Sequence, residues 1–189
     1  QQSYAQKKMS ASDAVRSVRD GELIIVPTGV GEPPALLTAL SEQRREFRDV
    51  KVSQILAMRK FGYIDPETVE HVRHVALFYG GATRAGGQAG WIDFIPNYFS
   101  EIPSMIQRAQ MPADVVFSMA SPMDAHGYFS LSLGADYTMA AVAKARAVVL
   151  EVNPQVPFAN GNCHVHISQV TALVEDSRPV LEVGLPKIG

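Results

Sequence analysis

The sequence predicts an α/β fold: an open, mostly parallel sheet flanked by helices, ending in a strand-rich carboxyl-terminal arm. Three observations carry that expectation. Asp114 to Asn153 reads as one βαβ unit, with a short apolar run at Asp114–Ala120, an Ala-rich helix over Ala135–Ala145 and a second apolar run at Val148–Val152. Strand, helix, strand implies a parallel pair joined by a crossover. An earlier apolar run, Leu23-Ile-Ile-Val, is followed by a loop and a helix in the same order. After Asn153 the helical pattern stops, and Pro154, Pro157, Gly161, Pro179 and Pro186 break the chain into short strands.

The elements follow in order. Ser10-Ala-Ser-Asp has the shape of a capping box, with Asp13 in place of Glu or Gln, and opens a helix with Val15 and Val18 inward. Gly21 stops it. Leu23–Val26 is a buried strand. Pro34 suits the first turn of the next helix, whose face carries Leu36, Leu37 and Leu40. Val50–Ala57 alternates as a strand, Asp65-Pro66 caps a helical turn, and Val72–Phe78 is another strand. Ser100-Glu-Ile-Pro starts a further helix. His164–Ile167 and Val170–Val174 are the strands of the tail, and Gly184–Gly189 shows neither helix nor cap.

The totals limit the function. The 189 residues suit one α/β domain, 1–189, and 47% hydrophobic against 19% charged is too apolar for disorder. A net charge of −2 gives no electrostatic reason to expect nucleic acid or an anionic membrane as partner. No apolar run approaches the roughly 20 residues that span a bilayer. Cys163 is the lone cysteine, which points to a reducing, cytoplasmic compartment.

In open parallel sheets ligands bind outside the carboxyl ends of the strands. Two stretches should lie there. Thr28-Gly-Val-Gly-Glu-Pro joins a strand to a helix; Gly29 and Gly31 would let a ligand approach the backbone around Val30 and Pro33, and a helix amino end favours negative charge. Pro34 stands where a dinucleotide fingerprint needs its third glycine, so that reading fails. The plain alternative is a tight βα turn. The second stretch, Ser121-Pro-Met-Asp-Ala-His-Gly, faces the turn Glu151–Pro154 on the same rim. Asp124 and His126 could do acid–base work, but Asp in such loops more often fixes the turn, and that role is favoured for Asp124. Ser121 lacks the setting of an elbow nucleophile. Glu151 could be a nucleophile, a base or a clamp on a backbone N–H. The five histidines and Cys163 offer few metal ligands, and a buried filler is the commoner fate of such a cysteine.

Ser121-Pro-Met-Asp-Ala-His-Gly-Tyr, Ser132-Leu-Gly-Ala-Asp-Tyr-Thr and Glu151-Val-Asn-Pro-Gln-Val-Pro together resemble the acetyl-CoA hydrolase/transferase family, nearest its 4-hydroxybutyrate and butyrate:acetate CoA-transferase branch. Asp20-Gly21, Thr83-Arg84, Asp93-Phe-Ile-Pro-Asn-Tyr-Phe-Ser-Glu-Ile-Pro and Gly161 add to the likeness, which runs from Ser10 nearly to the end. The resemblance implies a NagB/RpiA/CoA-transferase type fold, with the active site between two similar domains. It implies acyl-CoA and a short carboxylic acid as substrates, with coenzyme A a substrate and no separate cofactor or metal. It implies a homo-oligomer. The catalytic glutamate belongs to the second domain, so no catalytic residue is expected in this chain. Thr28, Gly29, Val30, Gly31 and Pro33 would line the acyl pocket and supply backbone donors. Ser121, Pro122, Asp124, His126, Gly127, Glu151 and Asn153 would form the facing rim. Alanine at Gly29 or Gly31 is then expected to lower turnover and leave folding intact. Pro157-Phe-Ala-Asn departs from the Pro-Arg common after the Glu-Val-Asn turn, which bears on the choice of acid. Acetyl-CoA hydrolysis and a non-catalytic domain of the same fold are the rival readings.

Overall fold

The computed structural model describes residues 2–184. Six α-helices lie among the described residues: α1 (Gln2–Lys7), α2 (Ala11–Ala14), α3 (Pro34–Glu42), α4 (Arg84–Gln88), α5 (Ile102–Gln107) and α6 (Thr138–Val142). Nine strands accompany them: β1 (Leu23–Ile25), β2 (Val50–Gln54), β3 (Val72–Ala76), β4 (Asp93–Phe94), β5 (Val115–Ala120), β6 (Tyr128–Ser130), β7 (Ala147–Val152), β8 (His164–His166) and β9 (Ala172–Glu175). Seven strands form one sheet in the order β4-β3-β2-β1-β5-β7-β9, and every pairing in it is parallel. β6 and β8 form a separate antiparallel pair.

Parallel strands carry apolar side chains on both faces because crossovers cover both. Ile24, Val52, Phe117, Val149 and Val174 point into one core, beneath α2 and α3. Ile25, Val116, Val148, Leu150 and Leu173 point into the other, beneath α5 and α6. β5 and β7 are buried at every position, which is why they read as mostly apolar runs, with Ser118 and Glu151 the polar residues in them. The expected local signals act as expected: the Ser10 hydroxyl accepts from the Asp13 N–H at 3.0 Å, and the Asp65 carboxylate accepts from the Glu67 N–H at 3.0 Å. Leu36, Leu37 and Leu40 are fully buried.

Two expectations need correction. The helix predicted over Ala135–Ala145 is only Thr138–Val142. Asp136 accepts from the Thr138 N–H and hydroxyl, which delays the helix start, and Ala143 at the other end is exposed. The tail, which the sequence presents as an arm with less packing of its own, has its strands but joins the main sheet: Ala172 and Leu173 in β9 are buried as the seventh strand, and the Met9 N–H donates to the Leu173 carbonyl at 2.9 Å. Pro186 and the rest of the segment after Gly184 lie outside the described residues.

Candidate functional site

The chain leaves β1 toward β2, β3 and β4, then returns to build β5, β7 and β9 on the opposite side. The strand order therefore reverses between β1 and β5. A crevice opens at such a switch point, outside the carboxyl ends of the strands. The Thr28–Pro33 loop follows β1 there. Gly29, at φ +58, starts a single helical turn that a side chain would strain.

Most amide donors of this loop are used within the protein. The Thr28 N–H donates to Asp136 at 2.7 Å, Gly29 to the Leu56 carbonyl at 3.0 Å, Gly31 to Thr28 at 3.2 Å and Glu32 to Gly29 at 3.2 Å. Among the described residues, only the Val30 N–H in this loop has no acceptor, while Pro33 has no N–H to give. The expected set of backbone donors thus narrows to one.

The turn Ser132–Gly134 packs directly against the loop. A methyl on Gly31 would lie 2.8 Å from the Gly134 Cα, and a methyl on Gly134 would lie 2.9 Å from the Pro27 Cβ. Two glycines are needed for the segments to touch. Tyr137 locks the same contact: its hydroxyl donates to the Val26 carbonyl at 2.6 Å and accepts from the Ile55 N–H at 3.2 Å. The contact argues against the expectation that alanine at Gly31 leaves folding intact, because the clash is with backbone. At Gly29 there is space, the nearest atoms being on Met58 at 4.0 Å, and only the positive φ opposes a side chain.

Below the loop lies a polar cluster. Glu32 is fully buried, and one carboxylate oxygen accepts from Gln54 Nε2 and from the Met58 N–H, each at 3.1 Å. Its other oxygen has no hydrogen-bond donor and stands 3.6 Å from the Arg59 guanidinium. Burial pushes the Glu32 carboxyl up; the Gln54 amide, the Met58 N–H and Arg59 pull it back.

Glu151 is fully buried at the end of β7 and acts as a clamp. Its carboxylate accepts from the Leu36 N–H at 3.0 Å, in the first turn of α3. Burial pushes its pKa up to about 8, against the pull of that hydrogen bond; Asp176 pushes the same way as burial and Arg178 opposes it. Asn153, also buried, accepts from the Gln155 N–H at 2.9 Å and donates to the Arg178 carbonyl at 2.8 Å. It ties the tail to the rim.

The Ser121 loop is a closed turn. The buried Ser121 hydroxyl accepts from the Ser130 N–H at 2.9 Å. Asp124 accepts from the His126 N–H at 2.9 Å and the Tyr128 N–H at 2.8 Å, and these bonds, Tyr128 first, hold its carboxyl below the usual range. This is the turn-fixing role. His126 and Pro122 are exposed. Gly127 packs on the His166 ring, which a methyl would approach to 2.9 Å. Pro122 and Pro154 share a surface pocket of about 380 Å³ with Tyr4, Val152, Glu175 and Asp176.

The structure thus brings Ser121, Pro122, Glu151 and Asn153 to one rim, and links Glu151 to the helix after the glycine loop. It does not put Asp124 or His126 against Thr28–Pro33; the Ser132–Gly134 turn packs against that loop instead. Among the described residues no three His, Cys, Asp or Glu side chains gather as a metal site. His74 is buried beside the Tyr63 hydroxyl at 3.2 Å, and burial lowers its pKa to about 4. His164 and His166 flank Tyr128 on β6, and Cys163 is a buried core residue. Sequence reasoning gave no role to Gln54, Arg59, Gly134, Asp136 or Tyr137. For Asp136 a signal existed, since Asp-x-Thr before a helix is a capping pattern.

A parallel sheet with a glycine loop at its switch point defines an open α/β domain, and comparison with solved structures narrows it. RipA from Yersinia pestis superposes with a TM-score of 0.89 at 28% identity, over 99% of this chain and 46% of that one. The sequence matches the acetyl-CoA hydrolase/transferase N-terminal domain over residues 1–183, and the chain belongs to that family. It is 40% identical over 185 residues to the succinyl-CoA:cyclohexane-1-carboxylate CoA transferase of Geobacter metallireducens, covering 98% of this chain and 42% of the relative. It is 34% identical over 186 residues to the 4-hydroxybutyrate coenzyme A transferase of Clostridium kluyveri, covering 98% and 43%. The chain spans less than half the length of these relatives.

Proposed function

We propose that this domain forms one wall of a CoA-transferase active site, with a second domain supplying the attacking glutamate. In that reading the glutamate carboxylate attacks the acyl-CoA carbonyl, and the C–S bond breaks to give an acyl-glutamyl anhydride and CoA thiolate. The thiolate then attacks the glutamyl carbonyl, releasing the first acid and leaving a glutamyl-CoA thioester. An incoming carboxylate attacks that thioester, and the thiolate, released again, takes the new acyl group from the second anhydride. A carboxylate suits this sequence because the thioester's energy is kept in activated intermediates. Each addition makes an oxyanion that needs a fixed donor. The observation that carries the reading is the Val30 N–H, without an acceptor, at the switch point of a chain in this family. Acyl-CoA and a short carboxylic acid are the substrates, and relatives named for succinyl-CoA and 4-hydroxybutyrate favour that class. Glu151, Asn153 and Asp124 act by holding the rim. A cytoplasmic homo-oligomer completes the reading.

The test uses the whole polypeptide that carries this domain, with acetyl-CoA or butyryl-CoA and an excess of a second acid. Transfer gives a new thioester in proportion to the acid, without free thiol building up. Thiol that accumulates regardless of the acid would make the protein a hydrolase. Neither product would leave a non-catalytic domain of this fold.

A further inference from the structure

We propose that Arg59 is a specificity-determining residue, receiving the free carboxylate of a short dicarboxylic acyl group or of its acid. The proposal rests on the transferase reading for its substrate. The site itself rests on geometry.

Arg59 stands just beyond β2, next to Met58, whose side chain borders Gly29 of the glycine loop. Its side chain is 34% exposed, its guanidinium stands 3.6 Å from Glu32, and it makes no side-chain hydrogen bond among the described residues. That distance is too long for a hydrogen bond. A guanidinium has five N–H donors in a fixed fork that fits a carboxylate along two parallel bonds. Here the inner side is held by charge attraction to a buried carboxylate, and the donors are not otherwise occupied.

The surroundings point the same way. Gln54 and Met58 hold Glu32 through one carboxylate oxygen, and the other stands 3.6 Å from Arg59. Two buried polar atoms of this cluster lack hydrogen-bond partners: Glu32 Oε1 and Gln54 Oε1. Glu32 and Gln54 are 0% and 1% exposed. Buried polar groups are normally hydrogen-bonded, and two unpartnered ones beside a part-exposed guanidinium call for an explanation. A cation above a buried carboxylate, with an outer edge free, can take a second anion without leaving the first unpaired. A monocarboxylic acyl chain has nothing to offer that edge. A dicarboxylic one presents its second carboxylate, with its thioester carbonyl left for the Val30 N–H.

The experiment compares acids on the whole enzyme. With acetyl-CoA as donor, kcat/KM is measured for succinate and for butyrate in wild type, Arg59→Met and Arg59→Lys. The succinate-to-butyrate ratio should fall roughly 10- to 100-fold in Arg59→Met, the range of a charge-assisted hydrogen-bond pair, and part of the way in Arg59→Lys, which keeps the charge but not the fork. A ratio unchanged in both variants overturns the proposal, whether the two acids lose rate together or not at all. If Arg59→Met does not fold, Arg59→Lys carries the comparison. Repeating it with dephospho-CoA thioesters distinguishes the other anion available: an effect that vanishes there assigns Arg59 to a coenzyme phosphate and overturns the proposal. Direct binding separates this inference from the transferase reading. Succinate should raise the Tm of wild type and not of Arg59→Met even if no transfer is seen, and absence of that shift in wild type overturns the inference alone.

Discussion

The Glu151 carboxylate, at the end of β7, accepts a hydrogen bond from the Leu36 N–H at 3.0 Å, in the first turn of α3. This one bond joins the far side of the sheet to the helix that the glycine loop leads into. It satisfies one of the amide donors that every helix start leaves open, and places a carboxyl at the positive end of the helix. Pro33 precedes the helix and offers no side-chain cap, so Glu151 does from a distance what a capping residue does locally.

Glu151→Ala should therefore destabilise the domain by about 1–3 kcal/mol, the range for losing a cap and leaving a buried N–H without an acceptor. Glu151→Gln keeps an acceptor oxygen and should lose less. Urea denaturation of the two variants beside wild type checks the order; equal stability of all three would show that the bond contributes nothing.

The same residue sets a pH dependence. Its folded pKa is raised to about 8 from the ordinary 4.5, by burial and by Asp176, with the Leu36 N–H and Arg178 opposing. Between those values the folded state holds a proton that the unfolded state has released, so stability falls as pH rises. The contribution is complete below 4.5 and is lost as pH passes through 8. The Tm of wild type should decline relative to Glu151→Gln across this window, measured in one buffer series. Parallel Tm profiles would place the titration elsewhere.

The strands were legible because both faces of the sheet are covered. Val115–Ala120 and Ala147–Val152 are apolar apart from Ser118 and Glu151, and that leaves a nearly continuous run. The strand expected over Val50–Ala57 was legible for a weaker reason and ends at Gln54: its alternation suggested one wet face, yet Ser53 and Gln54 are 0% and 1% exposed. Which loops meet at the rim was not legible. Gly31 touches Gly134, and Glu32 sits under Arg59, only because β1 lies between β2 and β5; strand order is a long-range property that no local spacing records. The Ala135–Ala145 helix was overread because Ala-rich composition favours helix, while the side chain of Asp136 competes for the same backbone donors.

The two glycines of the loop should behave differently. Gly31→Ala puts a methyl 2.8 Å from the Gly134 Cα, backbone against backbone, and neither segment can give way without breaking the Tyr137 and Asp136 hydrogen bonds. A loss of about 1–3 kcal/mol is expected from overpacking. Gly29→Ala has room and meets only its positive φ, so about 1 kcal/mol is expected. Thermal melts of both variants decide it, and a Gly31→Ala protein as stable as wild type would show that the two loops do not press together.

Asp124 tests whether the rim turn is chemistry or scaffold. Its carboxylate accepts from the His126 and Tyr128 N–H groups at 2.9 and 2.8 Å, and both bonds need only an oxygen acceptor, not a charge. Asp124→Asn keeps that oxygen and removes any acid–base capacity; Asp124→Ala removes both. If the residue fixes the turn, Asn should keep turnover of the whole enzyme within a few-fold of wild type and leave the shape of its pH profile unchanged, whereas Ala should loosen the Ser121–Tyr128 loop and raise its amide exchange. General acid–base work contributes typically 10²–10⁴-fold, so a loss of that size in Asn with the loop still ordered would return Asp124 to the chemistry.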